Sequence, residues 1–425
     1  MIWAWRIVLI SFCLILAYAS LSLRLGGVGP SDFIDTAPIE EPAWWQTSHP
    51  DTDIALSMKA MDAGDLDEAK ALALRALSKN ITNGNATAQL MLVYEKQGFP
   101  EEADKLAEIA EQLWPAHAAV RTKLAEYWLR RDNLPKLLEE WHVLMIHNAT
   151  LRRSVYPVLQ EVANTPDIAV LLKPYAKVPP NWWNGFFNFM AAKNENLDTI
   201  RMLYQARVDS EVPLSNSERR AYVRRLMKEK LWTEAYFAWL SGLDAKALLL
   251  SGTVFDGGFE SNLKNTGFDW RFAKAKGMNI QLDQTIGAKG RRALRVSFNG
   301  RKRINFRHVS QFLNLTPGES YDLKFDYRVD RLETATAAGL SWRIRCHPNN
   351  KKIIAESDSI FKQSAWQTMI TPFTVPTSDC PAQLLRLEAS SRYTHEHSFK
   401  GTLWFDNISI VRAEPENTSN PKLNR

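Results

Sequence analysis

The chain predicts a multidomain α + β protein, with an N-terminal membrane helix, an all-α repeat solenoid and a C-terminal β-sandwich. Three observations carry this prediction. The N-terminal half superimposes on itself after a shift of 34 residues, so that Gly64-Asp65-Leu66-Asp67-Glu68-Ala69 falls on Gly98-Phe99-Pro100-Glu101-Glu102-Ala103. The composition changes near Leu250, from Ala/Leu/Glu-rich with a period near 3.6 to short alternating runs broken by Gly, Asn, Asp and Pro. An apolar run from Ile7 to Leu23 lies between Arg6 and Arg24. At 425 residues the chain exceeds what one core usually serves, and 45% hydrophobic residues support folded domains.

The apolar run reads as a membrane-targeting element over residues 1–25, followed by a linker over 26–49 that carries Asp32, Asp35, Glu40 and Glu41. A membrane span needs about 20 apolar residues, and the continuation to Leu25 favours an uncleaved anchor. Ala17-Tyr18-Ala19 offers the alternative, cleavage near Ala19 and release. Either outcome places residues 26–425 outside the cytoplasm, most simply at a bacterial inner membrane facing the periplasm.

Helical hairpins are expected over 50–245. Ala69, Ala76, Ala103 and Ala110 allow antiparallel helices to approach closely, while Leu90, Tyr94, Leu124 and Trp128 fill the gaps between neighbouring hairpins. Gly64 and Gly98 end the first helix of each pair. These residues resemble the tetratricopeptide repeat, closely over 50–83 and 84–117 and more weakly over 118–151, where Leu137 and Asp132 replace the small residue and the turn glycine. The segments Trp182–Arg207 and Ser217–Gly242 read as further hairpins, four to six in all. Such solenoids present a concave surface, here expected to take a protein partner.

The sandwich is expected over 251–413, ahead of a polar, disordered tail at 414–425. Val254-Phe255-Asp256-Gly257-Gly258-Phe259-Glu260, Leu313-Asn314-Leu315-Thr316-Pro317-Gly318-Glu319-Ser320-Tyr321 and Leu403-Trp404-Phe405-Asp406-Asn407-Ile408 occur in that order. They resemble the galactose-binding-like jelly rolls that include carbohydrate-binding modules of cellulases and xylanases. The resemblance implies a structural calcium near Glu260 and Asp406, with Asp256 a further contributor. Pairing of Glu260 and Asp406 with basic side chains is the alternative. It also implies sugar binding by aromatic rings. Trp270 beside Arg271, and Tyr393 beside Arg392, are the candidates for a binding face, whereas Trp342 and Trp366 read as structural.

Cys13 lies in the apolar run, and Cys346 and Cys380 lie in the expected sandwich. Export favours a disulfide between the latter two, worth about 2–4 kcal/mol, with two unrelated thiols as the alternative. Net charge is only +6, yet Lys289, Arg291, Arg292, Arg295, Arg301, Lys302, Arg303 and Arg307 crowd one stretch free of acidic residues. Arg291, Arg292, Arg301, Lys302, Arg303 and Arg307 are the candidates for contact with an acidic carbohydrate or another polyanion. The targeting segment argues against nucleic acid.

Catalytic patterns are scarce. The chain has no phosphate-binding glycine loop, no nucleophile elbow and no His-Glu-x-x-His helix, and His395-Glu396-His397 fits a polar loop. The reading is a non-enzymatic adaptor of the cell envelope, with no catalytic residues, serving the production or export of an extracellular polysaccharide. Two alternatives stand beside it: a carbohydrate-active hydrolase with an unrecognised site, and a structural scaffold whose sandwich caps the solenoid.

Overall fold

The structure is a computed structural model, and it describes residues 49–334, 336 and 338–413. The N-terminal apolar run and the C-terminal tail lie outside those residues. Among the described residues no helix is long and apolar enough to cross a membrane. The chain divides into two compact units, the first reaching Tyr175 with Pro179–Trp183 added, the second comprising Ala176–Val178 and the chain from Asn184 onward.

In the first unit the helices run in pairs: α1 (Pro50–Asp62) with α2 (Leu66–Lys79), α3 (Gly84–Lys96) with α4 (Pro100–Leu113), and α5 (Ala118–Arg130) with α6 (Leu134–His147). The turn inside each pair is the same. Gly64, Gly98 and Asp132 take positive φ (85°, 81° and 53°). The N–H that follows each returns five residues, from Asp65 to Ala60 O (2.9 Å), from Phe99 to Tyr94 O (3.0 Å) and from Asn133 to Trp128 O (3.0 Å). This closure satisfies carbonyls that the ending helix would otherwise leave bare. The next helix then opens on a cap or a proline: Asp65 accepts from Glu68 N, Asn133 accepts from Lys136 N, and Pro100 occupies the first turn of α4. Ala69, Ala73, Ala76, Ala103 and Ala110 are wholly buried where the helices meet. Regularity ends at α7 (Arg152–Val162), which carries Pro157 in its interior, and the short helices α8 (Pro166–Ala169) and α9 (Lys173–Lys177) follow.

The second unit begins with helices α10 (Trp183–Lys193), α11 (Leu197–Val208), α12 (Asn216–Lys228) and α13 (Trp232–Leu240), then the single turn α14 (Ala245–Leu248). The turn between α12 and α13 repeats the closure of the first unit, with Lys230 at φ 63° and Leu231 N bonded to Leu226 O at 2.9 Å.

Ten strands follow. One sheet has the order β1 (Arg271–Phe272), β4 (Val309–Leu313), β9 (Ala382–Ala389), β6 (Leu340–His347), β7 (Ile353–Glu356). The other has the order β2 (Met278–Asp283), β3 (Ala293–Arg303), β10 (Ser398–Arg412), β5 (Ser320–Thr334), β8 (Ser364–Thr374). Every ladder is antiparallel. Alternate residues of both sheets close on one apolar core around Trp342, Phe325, Phe405, Leu385 and Leu387, as a sandwich requires. Cys346 in β6 and Cys380 ahead of β9 are disulfide-bonded within that core.

Candidate functional site

Trp270 is not on a binding face. Its ring is fully buried between Phe259 (5.0 Å) and Trp342 (5.7 Å), and its indole N–H donates to Asp256 O at 3.1 Å. A large ring gains most from burial when its single polar group finds a partner inside. Arg271 is likewise engaged inward, its guanidinium 4.4 Å over the Phe312 ring and its Nη2 donating to Gly267 O at 3.1 Å.

The second aromatic candidate is placed differently. Tyr393 is 66% exposed and lies 5.7 Å from the His395 ring. With Arg392 it lines an open depression of about 380 Å³ whose other walls are Thr336, Ala338, Ser359, Ser390, Ser391 and Glu396. The depression is built by the loop after β9. Ser390 N donates to Gly339 O at 2.9 Å, Ser390 and Ser341 share a hydroxyl bond of 2.6 Å, and Tyr393 N donates to Ser391 Oγ at 3.1 Å. Ser391 Oγ also bonds Glu396. An exposed ring among hydroxyls, one guanidinium and one carboxylate offers an apolar stacking face ringed by donors and acceptors.

Beside this depression, β6 and β9 carry an ionic cluster. Glu388 accepts from Arg343 (3.0 Å), from Arg345 (2.7 Å at each oxygen) and from Arg386 (2.6 Å), while Arg343 also reaches Glu356 at 2.7 Å. Burial alone would raise the Glu388 carboxyl. The bonds from Arg345 and Arg343, with the Arg386 charge, outweigh it and hold the group at about 2. No proton exchange near neutrality is available there, so the cluster positions strands.

At the other end of the sandwich, the opening and closing segments lie together, with Ile408 N donating to Gly257 O at 2.9 Å. Glu260 and Asp406 both face the loop over 289–292. Glu260 Oε1 accepts from Arg291 N (2.6 Å) and Arg292 N (2.9 Å), and its other oxygen pairs with the Arg291 guanidinium at 3.5 Å. Asp406 accepts from Lys289 N and from Asn407 N, both at 2.7 Å. Asp256 folds back on its own turn, bonding Glu260 N and Ser261 N. Among the described residues no group of three or more His, Cys, Asp or Glu is placed to hold a metal ion. Backbone N–H groups hold both carboxylates, with the Arg291 guanidinium at Glu260. Burial pushes Asp406 up to about 6, against its two N–H bonds, with the charges of Asp326 and Glu260 adding to the push.

The basic stretch is dispersed. Arg301, Lys302 and Arg303 are exposed at the end of β3, Arg307 is exposed beyond it, Arg295 pairs with Asp283 at 3.1 Å, and Arg291 and Arg292 lie at the loop just described. One pattern went unread in the sequence. On the outer face of the second sheet, Arg295 stands 5.6 Å from Trp404, and Arg328 stands 5.0 Å from Trp404 and 5.4 Å from Trp366. This row crosses β3, β10, β5 and β8, and only cross-strand register brings it together.

No protein-family model and no curated protein matches the chain. Among solved structures, one titled "CBM4 structure and function" is 13% identical and covers 39% of this chain and 99% of its own, at a TM-score of 0.28. A CBM22-1 xylan-binding domain from Paenibacillus barcinonensis Xyn10C is 13% identical over 37% of this chain and 93% of its own, at 0.25. A family 16 carbohydrate-binding module is 16% identical over 38% and 99%, at 0.26.

Proposed function

We infer that the protein is a non-enzymatic, membrane-anchored adaptor of the cell envelope, whose helical repeats take up a protein partner and whose sandwich takes up carbohydrate. The observation that carries the carbohydrate reading is the depression around Tyr393 and Arg392, the one place where a predicted site aromatic stands exposed beside hydroxyls and charge. Saccharide recognition needs such a ring against the C–H face of a pyranose and directional bonds to its hydroxyls. On this reading residues 1–25 hold the protein at the membrane, and the assembly serves the making or export of an extracellular polysaccharide.

Calorimetric titration of the full-length protein with a panel of neutral and acidic polysaccharides tests it. Saturable binding that Tyr393→Ala weakens at least tenfold, with Arg392→Ala weaker as well, is the expected result. Binding indifferent to both substitutions would sink it.

A scaffold reading has an observation of its own. Helix α13 is seated on the sandwich, with Trp232 5.6 Å from Phe312 and 4.9 Å from His347, and Trp239 5.0 Å from Phe255. If the sandwich only caps the helices, no glycan binds and the Trp232→Ala phenotype is loss of folding alone.

A further inference from the structure

Where α13 and α14 meet the opening loop of the sandwich, they enclose a cleft of about 460 Å³, within the range of about 300–1,000 Å³ usual for small-molecule sites. Its lining is apolar at Trp239, Phe255 and Leu250 and basic at Lys246, Lys264, Arg291 and Arg292. Three carboxylates also line it, but each is already engaged. Asp269 accepts from Lys264 N and Trp270 N at 2.6 and 2.7 Å, Asp244 accepts from Ala247 N at 2.8 Å, and Glu260 holds the two N–H groups and the guanidinium named above.

Of the four cations only Arg291 is ion-paired, with Glu260. Among the described residues Lys246, Lys264 and Arg292 make no ion pair, and the Arg292 side chain has only a 3.4 Å bond to Asn262 Oδ1. The lining thus carries four cations against three carboxylates, beside an aromatic wall and the neutral hydrogen-bonding groups of Ser261, Asn262 and Gln284. A carboxylate gains charge-assisted bonds from such cations, a pyranose body fits the apolar wall, and hydroxyls meet the neutral groups. We propose that this cleft is a binding site for a carboxylate-bearing sugar residue of an acidic polysaccharide. The site is distinct from the Tyr393 depression and rests on the reading of the sandwich as a carbohydrate module.

The test titrates full-length protein in detergent with oligogalacturonate and with its methyl ester, using wild type, Lys264→Gln/Arg292→Gln and Tyr393→Ala. The expected result is selective binding of the acid, at least tenfold weaker in the charge variant and weaker in high salt, with the ester unaffected by the charge substitutions. Lys264 is exposed and Arg292 half-buried, and an unchanged melting temperature in the charge variant separates lost binding from lost folding. Equal binding of acid by wild type and the charge variant overturns the cleft assignment while leaving Tyr393-dependent glycan binding intact. Absence of any oligosaccharide binding, with no glycan sensitive to Tyr393→Ala, overturns both readings together.

Discussion

Glu388 illustrates how one side chain sets a local stability. Its carboxyl sits at about 2 in the folded protein, below its ordinary value near 4.3, so the stabilisation is complete above the ordinary value and is lost as pH falls through the folded one. The shift corresponds to an upper bound on the order of 3 kcal/mol. Glu388→Gln leaves three arginines around a neutral group and is expected to cost about 3 kcal/mol at pH 7, read as a lower melting temperature. It should also flatten the loss of stability between pH 4.5 and 2; a variant as acid-sensitive as wild type would remove the cluster from the account. Asp406 has the opposite sign. Its raised carboxyl, at about 6, imposes a cost that is absent at low pH and grows as pH rises from the ordinary value near 3.9 through the folded one. Because backbone N–H groups already bond Glu260 and Asp406, with Arg291 at Glu260, millimolar calcium followed by chelator should leave the melting temperature unchanged. A rise of several degrees with calcium would show that the loop rearranges to admit the ion.

At the scale of elements, the repeat turn makes a graded prediction. An ideal Cβ at Gly98 meets nothing within 4 Å, so the cost of Gly98→Ala comes from its φ of 81° alone, about 1–2 kcal/mol. Asp132 occupies the same turn position at φ 53°, and Asp132→Gly should leave the melting temperature level or raise it slightly, since relief of the backbone strain offsets added chain entropy. Equal losses in both variants would contradict the shared geometry. That turn was legible from sequence because its signal is local: a glycine, a cap and alanines at fixed offsets. Lys230 makes the same turn without any such residue type, which is why the period fades there. The strands were legible as a class for the same reason. Trp270 was misread because its neighbours in sequence, Asp269 and Arg271, are polar, while its burial is decided by Phe259 and Trp342. The Trp404 row and the cleft by Arg292 likewise depend on register and on α13 packing, neither of which leaves a mark in the adjacent sequence.

The second unit as a whole joins helices to a sandwich, and the joint is tight enough to predict shared unfolding. Gly267 takes φ 59°, and a Cβ there would lie 2.3 Å from the Trp239 ring. Two independent costs, strain and overlap, therefore fall on Gly267→Ala, together about 3 kcal/mol or more. Trp232 separates packing from polarity: it is buried, its ring meets Phe312 and His347, and its indole N–H has no hydrogen-bond partner among the described residues. Trp232→Ala should cost about 3–5 kcal/mol. Trp232→Phe retains a ring and removes a donor that is costly to bury unpaired, so it should be close to neutral. Calorimetry of the full-length protein would follow these variants, with near-ultraviolet circular dichroism reporting on the aromatic cluster and on the disulfide-bearing core. If helices 184–248 and the sandwich form one cooperative unit, Gly267→Ala and Trp232→Ala shift a single transition that both signals share. Were the sandwich transition to stay in place while a separate helical transition moved, α13 would be a dispensable attachment. The cleft beside Trp239 would then have no fixed wall on which to select a ligand.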